Sequence, residues 1–177
     1  MSKSDMESHP TKLLINESSE LFADILANGL SLRVQVTGGS MAPFLKGGEI
    51  LTIRKDPSSL LRVGDLIFFR DSDGFPVLHR IVRKARKKDM AVFQTKGDAL
   101  LSIDDPVCEP DILGKVWAIE RMDADGKAVH IDMESFMQKG INYFFAVKGL
   151  CKSRVRLALQ KSGIYSSLRS LVKKTLV

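Results

Sequence analysis

A serine, a histidine and a knot of aspartates are the residues in this chain whose types and spacing could carry out chemistry. Ser40 lies in the segment Thr37 to Gly48, TGGSMAPFLKGG, directly behind the alternating apolar residues Leu32, Val34 and Val36. At such a strand-to-turn junction the hydroxyl and the backbone N–H can both face a substrate, which suits a nucleophile. A serine hydroxyl is barely ionised at neutral pH, so it needs a base within hydrogen-bond reach. Of the three histidines, His9 falls in a polar leader and His130 near the end of the last apolar-alternating stretch. His79 sits inside Val77-Leu78-His79-Arg80-Ile81-Val82, where period two puts it on one face with Val77 and Ile81. Acids able to orient it gather in TKGDALLSIDDPV: Asp98, Asp104 and Asp105. Taken singly, each signal also has a structural explanation. A histidine in an apolar strand is commonly a core residue, and Lys96-Gly97-Asp98 and Asp105-Pro106 both read as turns.

The elements that must position these residues follow from periodicity. Leu14, Leu21, Phe22, Ile25 and Leu26 predict an amphipathic helix within Leu13 to Leu30, closed by Asn28 and Gly29 and packed as a lid on the body. From Leu32 the period becomes two, predicting strands at Leu32–Val36, Glu49–Arg54, Asp65–Arg70, Val77–Arg83, Met90–Thr95, Ile112–Arg121 and Lys127–Ile131. Turn chemistry separates them: Lys46-Gly47-Gly48, Asp56-Pro57, Val63-Gly64-Asp65, Asp73-Gly74 and Asp125-Gly126. Many short strands imply bent antiparallel sheets or a partly closed barrel. From Met133 the helical period returns, with Phe144, Val147, Cys151 and Val155 on one face and Lys148, Lys152 and Arg156 beside it. A second such stretch, Ile164, Leu168, Leu171 and Val172, follows Gly163. The expected division is 1–31 leader and helix, 32–132 catalytic β domain, and 133–177 basic helical tail.

With 177 residues, 44% of them hydrophobic, the chain can close one ordinary core. Cys108 and Cys151 lack a CxxC or a histidine neighbour, so neither a zinc site nor a disulfide framework is indicated. The acidic and polar start is unlike a secretory signal peptide, and the best candidate for a spanning segment, Ile141 to Val147, is too short to cross a bilayer. A cytoplasmic or peripherally membrane-associated protein is expected. The net charge is +6, yet Gln138 to Val177 holds nine Lys or Arg and no acid, which leaves the first 137 residues at −3. A basic amphipathic tail of this kind can lie on an anionic membrane surface. Nucleic acid is not the expected partner, because Tyr143, Phe144 and Phe145 bunch together instead of alternating with the basic positions.

In order, GGSMAP, GDLIFFR, VLHRIV, TKGDA and ILGKV resemble the type I signal peptidases, in the branch found in archaea, the endoplasmic reticulum and SipW-like bacterial enzymes. The resemblance covers about Gln35 to Val116. It implies a mainly β fold of the LexA/signal peptidase type and a serine endopeptidase that removes a leader from a precursor, cutting after small residues with no metal or cofactor. It implies Ser40 as nucleophile and His79 as general base. Asp98 matches the family's GD segment, and the acid behind it falls on Asp104 or Asp105, with Asp105 favoured because Pro106 and Val107 follow it. The oxyanion hole falls on the Ser40 backbone N–H, flanked by Gly38, Gly39 and Met41. Many relatives add a hydroxyl two residues before the serine, where this chain has Gly38. Substrate is expected to add as a strand along an exposed sheet edge.

LexA-type autoproteolytic regulators share the fold and a Ser-Met segment, but resemblance to them implies lysine where this chain has His79, and no helix-turn-helix precedes the strands. A non-catalytic peptide-binding relative is the other alternative. The family's usual spanning helix is not found; either the basic tail replaces it at a membrane surface, or the protease is cytoplasmic and trims a leader before export.

Overall fold

The alternation of Leu, Ile and Val with polar residues from Leu32 onward is expressed as eight strands. The computed structural model describes residues 10–88 and 90–161. In it α1 (Pro10–Ala27) precedes β1 (Leu32–Gln35), β2 (Ile50–Arg54), β3 (Leu66–Arg70), β4 (Pro76–Lys87), β5 (Met90–Lys96), β6 (Val107–Cys108), β7 (Ile112–Met122) and β8 (Ala128–Asp132). The helix α2 (Phe136–Lys161) follows. All pairings are antiparallel, in the order β1-β2-β7-β3-β4-β5-β6, with β8 also on β7. The sheet does not close. It bends where β7 meets β3 through Ile112–Lys115 and β2 through Lys115–Glu120, and one-residue bulges at Trp117 and Leu113 sharpen that bend, while a third, at Val82, lies in the β4–β5 pair.

Because the sheet folds over itself, β3 is buried on both faces. Leu66 and Phe68 join Leu26, Met41, Leu45, Leu51, Ile53, Val116 and Ile119 in one core. Ile67 and Phe69 turn the other way and join Leu61, Ile81, Phe93, Val107 and Ile112 in a second. A half-solvated antiparallel strand would alternate apolar with polar; β3 reads LIFFR because neither face sees water.

The helix α1 covers the first core with Leu26 and with Phe22, whose ring lies 5.8 Å from that of Phe68. It ends as its sequence predicts, with Gly29 at φ 75° and paired bonds from Leu30 N to Ile25 O and Gly29 N to Leu26 O. At the other end α2 is one uninterrupted helix through Lys161; the stretch expected after Gly163 lies outside the described residues. Its inward side is polar, with Gln138, Asn142 and Ser153 buried beside Ala146, while Phe136, Met137, Tyr143, Phe144, Val147 and Val155 face outward. No helix among the described residues is long and apolar enough to cross a membrane.

Two expectations change. β4 continues past Arg83 to Lys87, so its end and the turn after it form the basic run Arg83, Lys84, Arg86, Lys87 and Lys88; strong positive charge is thus not confined to the tail. The exposed ribbon carries no apolar face for periodicity to detect and is held instead by backbone pairing of Arg83–Lys87 with Met90–Gln94. The two-residue strand β6 pairs with Val92 and Phe93 and was not expected.

Candidate active site

Ser40 belongs to a long excursion between β1 and β2 whose ends are pinned together. Val36 N donates to Glu49 O and Gly48 N to Val36 O, both at 2.8 Å, closing the neck of the loop. The buried Glu49 carboxylate accepts from Lys46 N and Gly47 N at 2.7 and 2.8 Å. That turn needs left-handed backbone at Gly47 and Gly48, φ 98° and 92°, which side-chain-bearing residues rarely adopt. Met41 and Leu45, both essentially inaccessible, anchor the loop in the first core and leave half-buried Ser40 at a cleft.

That cleft, about 500 Å³, is walled by Val34, Val36, Thr37, Gly38, Ser40 and Met41 on one side and by Pro76, Val77, Leu78 and His79 on the other. Leu51, Ile53 and Phe68 form its apolar floor, and Leu100 also reaches it. Ser40 and His79, thirty-nine residues apart in sequence, therefore share one concavity. No hydrogen bond joins them among the described residues; such bonds are often long in substrate-free sites and tighten around substrate.

His79 is directly opposite Ile67 in the β3–β4 register and is 7% exposed. Its Nδ1 lies 2.6 Å from Asp104 Oδ2. A carboxylate can only accept, so Nδ1 carries the proton and Nε2 keeps its lone pair for a hydroxyl. Asp104 is fixed in turn by Thr95, whose Oγ1 donates to the same carboxylate oxygen at 2.8 Å and whose carbonyl accepts from Asp104 N at 2.9 Å.

The preference for Asp105 is thereby corrected. Adjacent residues of an extended segment point to opposite sides, and Asp105 is the one that turns to solvent. Asp105 lines a cavity of about 560 Å³ that His79 and Asp104 also line, together with Arg70, Asp71 and Asp111, but its carboxylate makes no hydrogen bond to His79. Asp98 is also away from the histidine. Both its carboxylate oxygens accept from Arg80, from Nε at 2.9 Å and Nη2 at 2.7 Å, and the pair is almost wholly buried. Period two predicts this, since Arg80 follows His79 and must point to the other face.

Beneath Ser40 runs the segment after β5. Ala99 N donates to Ser40 O at 2.9 Å, and Gly97 passes against the same carbonyl. The preceding Lys96 is buried, with Nζ donating to Gly97 O at 3.1 Å and its stem facing Gly149 of α2. Burial, and secondarily the charge of Lys152, push its amine below the ordinary lysine value, against the pull of Asp98 and Asp104. Lys96 is not part of the wall of the Ser40 cleft.

Gly38 and Met41 line the cleft; Gly39 precedes Ser40 and its carbonyl accepts Ala42 N at 3.1 Å, holding the turn that presents the serine. Sequence reasoning passed over Thr95, Gly97 and Arg80. Arg80 did leave a signal: a charge in the middle of an apolar strand requires a buried partner. Among the described residues no cluster of three or more His, Cys, Asp or Glu is arranged to hold a metal ion.

The mostly β fold presents a serine and an Asp-held histidine on one cleft, consistent with a type I signal peptidase-like protein. Curated proteins similar to this chain include signal peptidase complex catalytic subunits SEC11. The *Clavispora lusitaniae* protein is 36% identical over 75 residues, 42% of this chain and 45% of the relative. Those of *Fusarium vanettenii* and *Neurospora crassa* are 34% identical over 106 residues and 31% over 104, in each case 53% of this chain and 60% of theirs. The chain thus spans about half the length of the curated relatives it matches. No protein-family model matches it.

Proposed function

We propose that this protein is a serine endopeptidase that removes a leader or signal peptide from a precursor. The observation that carries the reading is His79, fixed through Nδ1 by Asp104 and facing the cleft that also holds Ser40. Nε2 takes the proton as Ser40 Oγ attacks the scissile carbonyl, and Asp104 steadies the imidazolium that forms. The Ser40 backbone N–H stabilises the oxyanion. Nε2 then protonates the leaving amine, and a water, deprotonated by the same nitrogen, releases the acyl group from Ser40. The extended substrate adds beside β1, the strand at one edge of the sheet, whose Val34 and Gln35 reach the cleft. A panel of precursor peptides incubated with the wild type, Ser40→Ala and His79→Ala tests this: cleavage by the wild type alone is expected, and equal cleavage by all three would end it. Scission of the protein's own chain, seen by intact mass, would favour an autoproteolytic regulator.

The site acts at an anionic membrane surface, seated through 138–177. Supporting this is the outward face of α2, where Phe136, Met137, Phe144, Val147 and Val155 are exposed beside Lys148, Lys152 and Arg154. Each Lys or Arg near such a surface contributes about 1 kcal/mol. The helix also passes the mouth of the cleft: Ser153 Oγ donates to Leu101 O at 2.9 Å, and Leu100 beside it lines the cleft. Flotation with anionic vesicles is expected for the full chain and to weaken in Phe144→Asp/Val147→Asp; no flotation of the wild type removes this part of the reading.

A further inference from the structure

Arg80 is the only charged residue in Val77–Val82, and its side chain is completely buried on the face opposite His79. Nε and Nη2 form a fork onto Asp98, while Nη1 donates to Gly64 O at 3.0 Å and Asn142 Oδ1 at 3.3 Å. The guanidinium also lies over two rings, 4.5 Å from the centroid of Phe44 and 5.3 Å from that of Phe145, which meet each other edge-on at 5.3 Å. Two partners of this group, and its own place in the chain, lead back to the candidate site. Phe44 is in the loop that carries Ser40. Asp98 lies between Gly97 and Ala99, the two residues packed on the Ser40 carbonyl. Arg80 itself is joined by one peptide bond to His79. Asn142 and Phe145 come from α2, and Asn142 Oδ1 is held by a 3.0 Å bond from Gln138 Nε2.

From this convergence we infer that Arg80 is a positioning residue for Ser40 and His79, and that α2, through Asn142 and Phe145, completes its socket. A buried ion pair gives little net stability compared with apolar residues of similar volume. What the planar fork supplies is fixed geometry: it ties the base strand, the Ser40 loop and the floor beneath Ser40 to one rigid group, and only arginine can do so. A helix outside the cleft is thereby part of the apparatus that sets the nucleophile-to-base distance.

The inference rests on the serine peptidase reading, and the experiment separates the two. Peptide cleavage is measured for wild type, Ser40→Ala, Arg80→Lys, Phe145→Leu and the double variant Arg80→Met/Asp98→Leu, with the urea midpoint of each. The double variant leaves no unpaired buried charge, so stability returns toward wild type. Its kcat is expected to stay down by about 100-fold, the cost of misplacing reacting groups by about 1 Å, with KM unchanged. Arg80→Lys and Phe145→Leu, which keep the charge of the pair, are expected to lose kcat in the same way by a smaller factor. Wild-type kcat in the double variant, or in both milder variants, overturns the positioning role while leaving the serine mechanism intact. Full cleavage by Ser40→Ala overturns the serine mechanism, and the Arg80 role with it.

Discussion

A Cβ placed on Gly97 would stand 2.7 Å from the carbonyl oxygen of Ser40. Ser40 therefore rests on a residue that has no side chain, and on the N–H of Ala99, two residues further on, which bonds to the same oxygen. The other close neighbours of that Cβ are Cδ1 and Cγ of Leu100, both at 2.9 Å. Leu100 can turn aside; the Ser40 backbone cannot move without carrying the hydroxyl with it. Gly97→Ala is expected to cost about 1–3 kcal/mol in stability as an overpacked site and about 100-fold in kcat through displacement of Ser40. Urea unfolding and peptide cleavage measure the two effects, and an unchanged kcat would show that Ser40 does not depend on this contact.

The Asp104 carboxylate holds the proton of His79 on Nδ1. An amide in its place can present its NH2 to that nitrogen and stabilise the other tautomer, leaving Nε2 protonated and useless as a base. Asp104→Asn is therefore expected to lower kcat by about 10⁴-fold, as loss of the orienting acid does in serine triads. Asp105→Asn, altering an exposed neighbour, is expected to leave it near wild type. Thr95→Val removes one of the two bonds that Thr95 makes with Asp104 and is expected to fall between them. Equal losses for Asp104→Asn and Asp105→Asn would contradict the assignment.

Gly38 lines the cleft two residues before Ser40, and a Cβ there would meet nothing within 4 Å. Its φ is outside the left-handed region, so an L side chain is tolerated. A serine at this position can aim a hydroxyl at the developing oxyanion. Since removing one such donor typically costs about 10²–10³-fold, Gly38→Ser is expected to raise kcat by at least about 10-fold. Gly38→Ala, which adds volume without a donor, is the control and is expected to give no gain. Steady-state cleavage of one precursor peptide by the three proteins decides it.

The parts of the fold legible in the sequence were those in which burial repeats. β1, β2, β3, β5, β7 and β8 lie within a residue or two of the expected strands because Leu, Ile, Val and Phe recur every second position, or continuously in β3. Gly29 marked the end of α1 because left-handed backbone there favours glycine. The outer half of β4 was hidden by its lack of an apolar face, and β6 by having only two residues. At the site, motif order singled out Ser40 and His79, which the fold brings to one cleft. The choice between Asp104 and Asp105 was not, since no period runs through a loop and a one-residue difference reverses which carboxylate faces the histidine. The partner of Arg80 lay eighteen residues away, across a hairpin whose register only the folded chain specifies.

Lys96 offers a test of the floor under Ser40 that leaves the cleft wall untouched. Its side chain is buried, with Gly97 O as hydrogen-bond acceptor, and burial holds its amine below the ordinary value of 10.5. A depressed amine opposes folding while it is charged: the folded state binds the proton less tightly than the unfolded chain does. The penalty is full below the folded pKa and is relieved as pH rises from there through 10.5. Lys96→Met keeps the length of the stem and removes the charge, and Gly97 O retains the bond from Leu100 N at 3.0 Å. The variant is therefore expected to unfold at a higher urea concentration than wild type at pH 7, with the gap closing as pH rises through 10.5. A gap that widens with pH would mean that the charged amine is stabilised where it lies, and that Asp98 and Asp104 outweigh its burial.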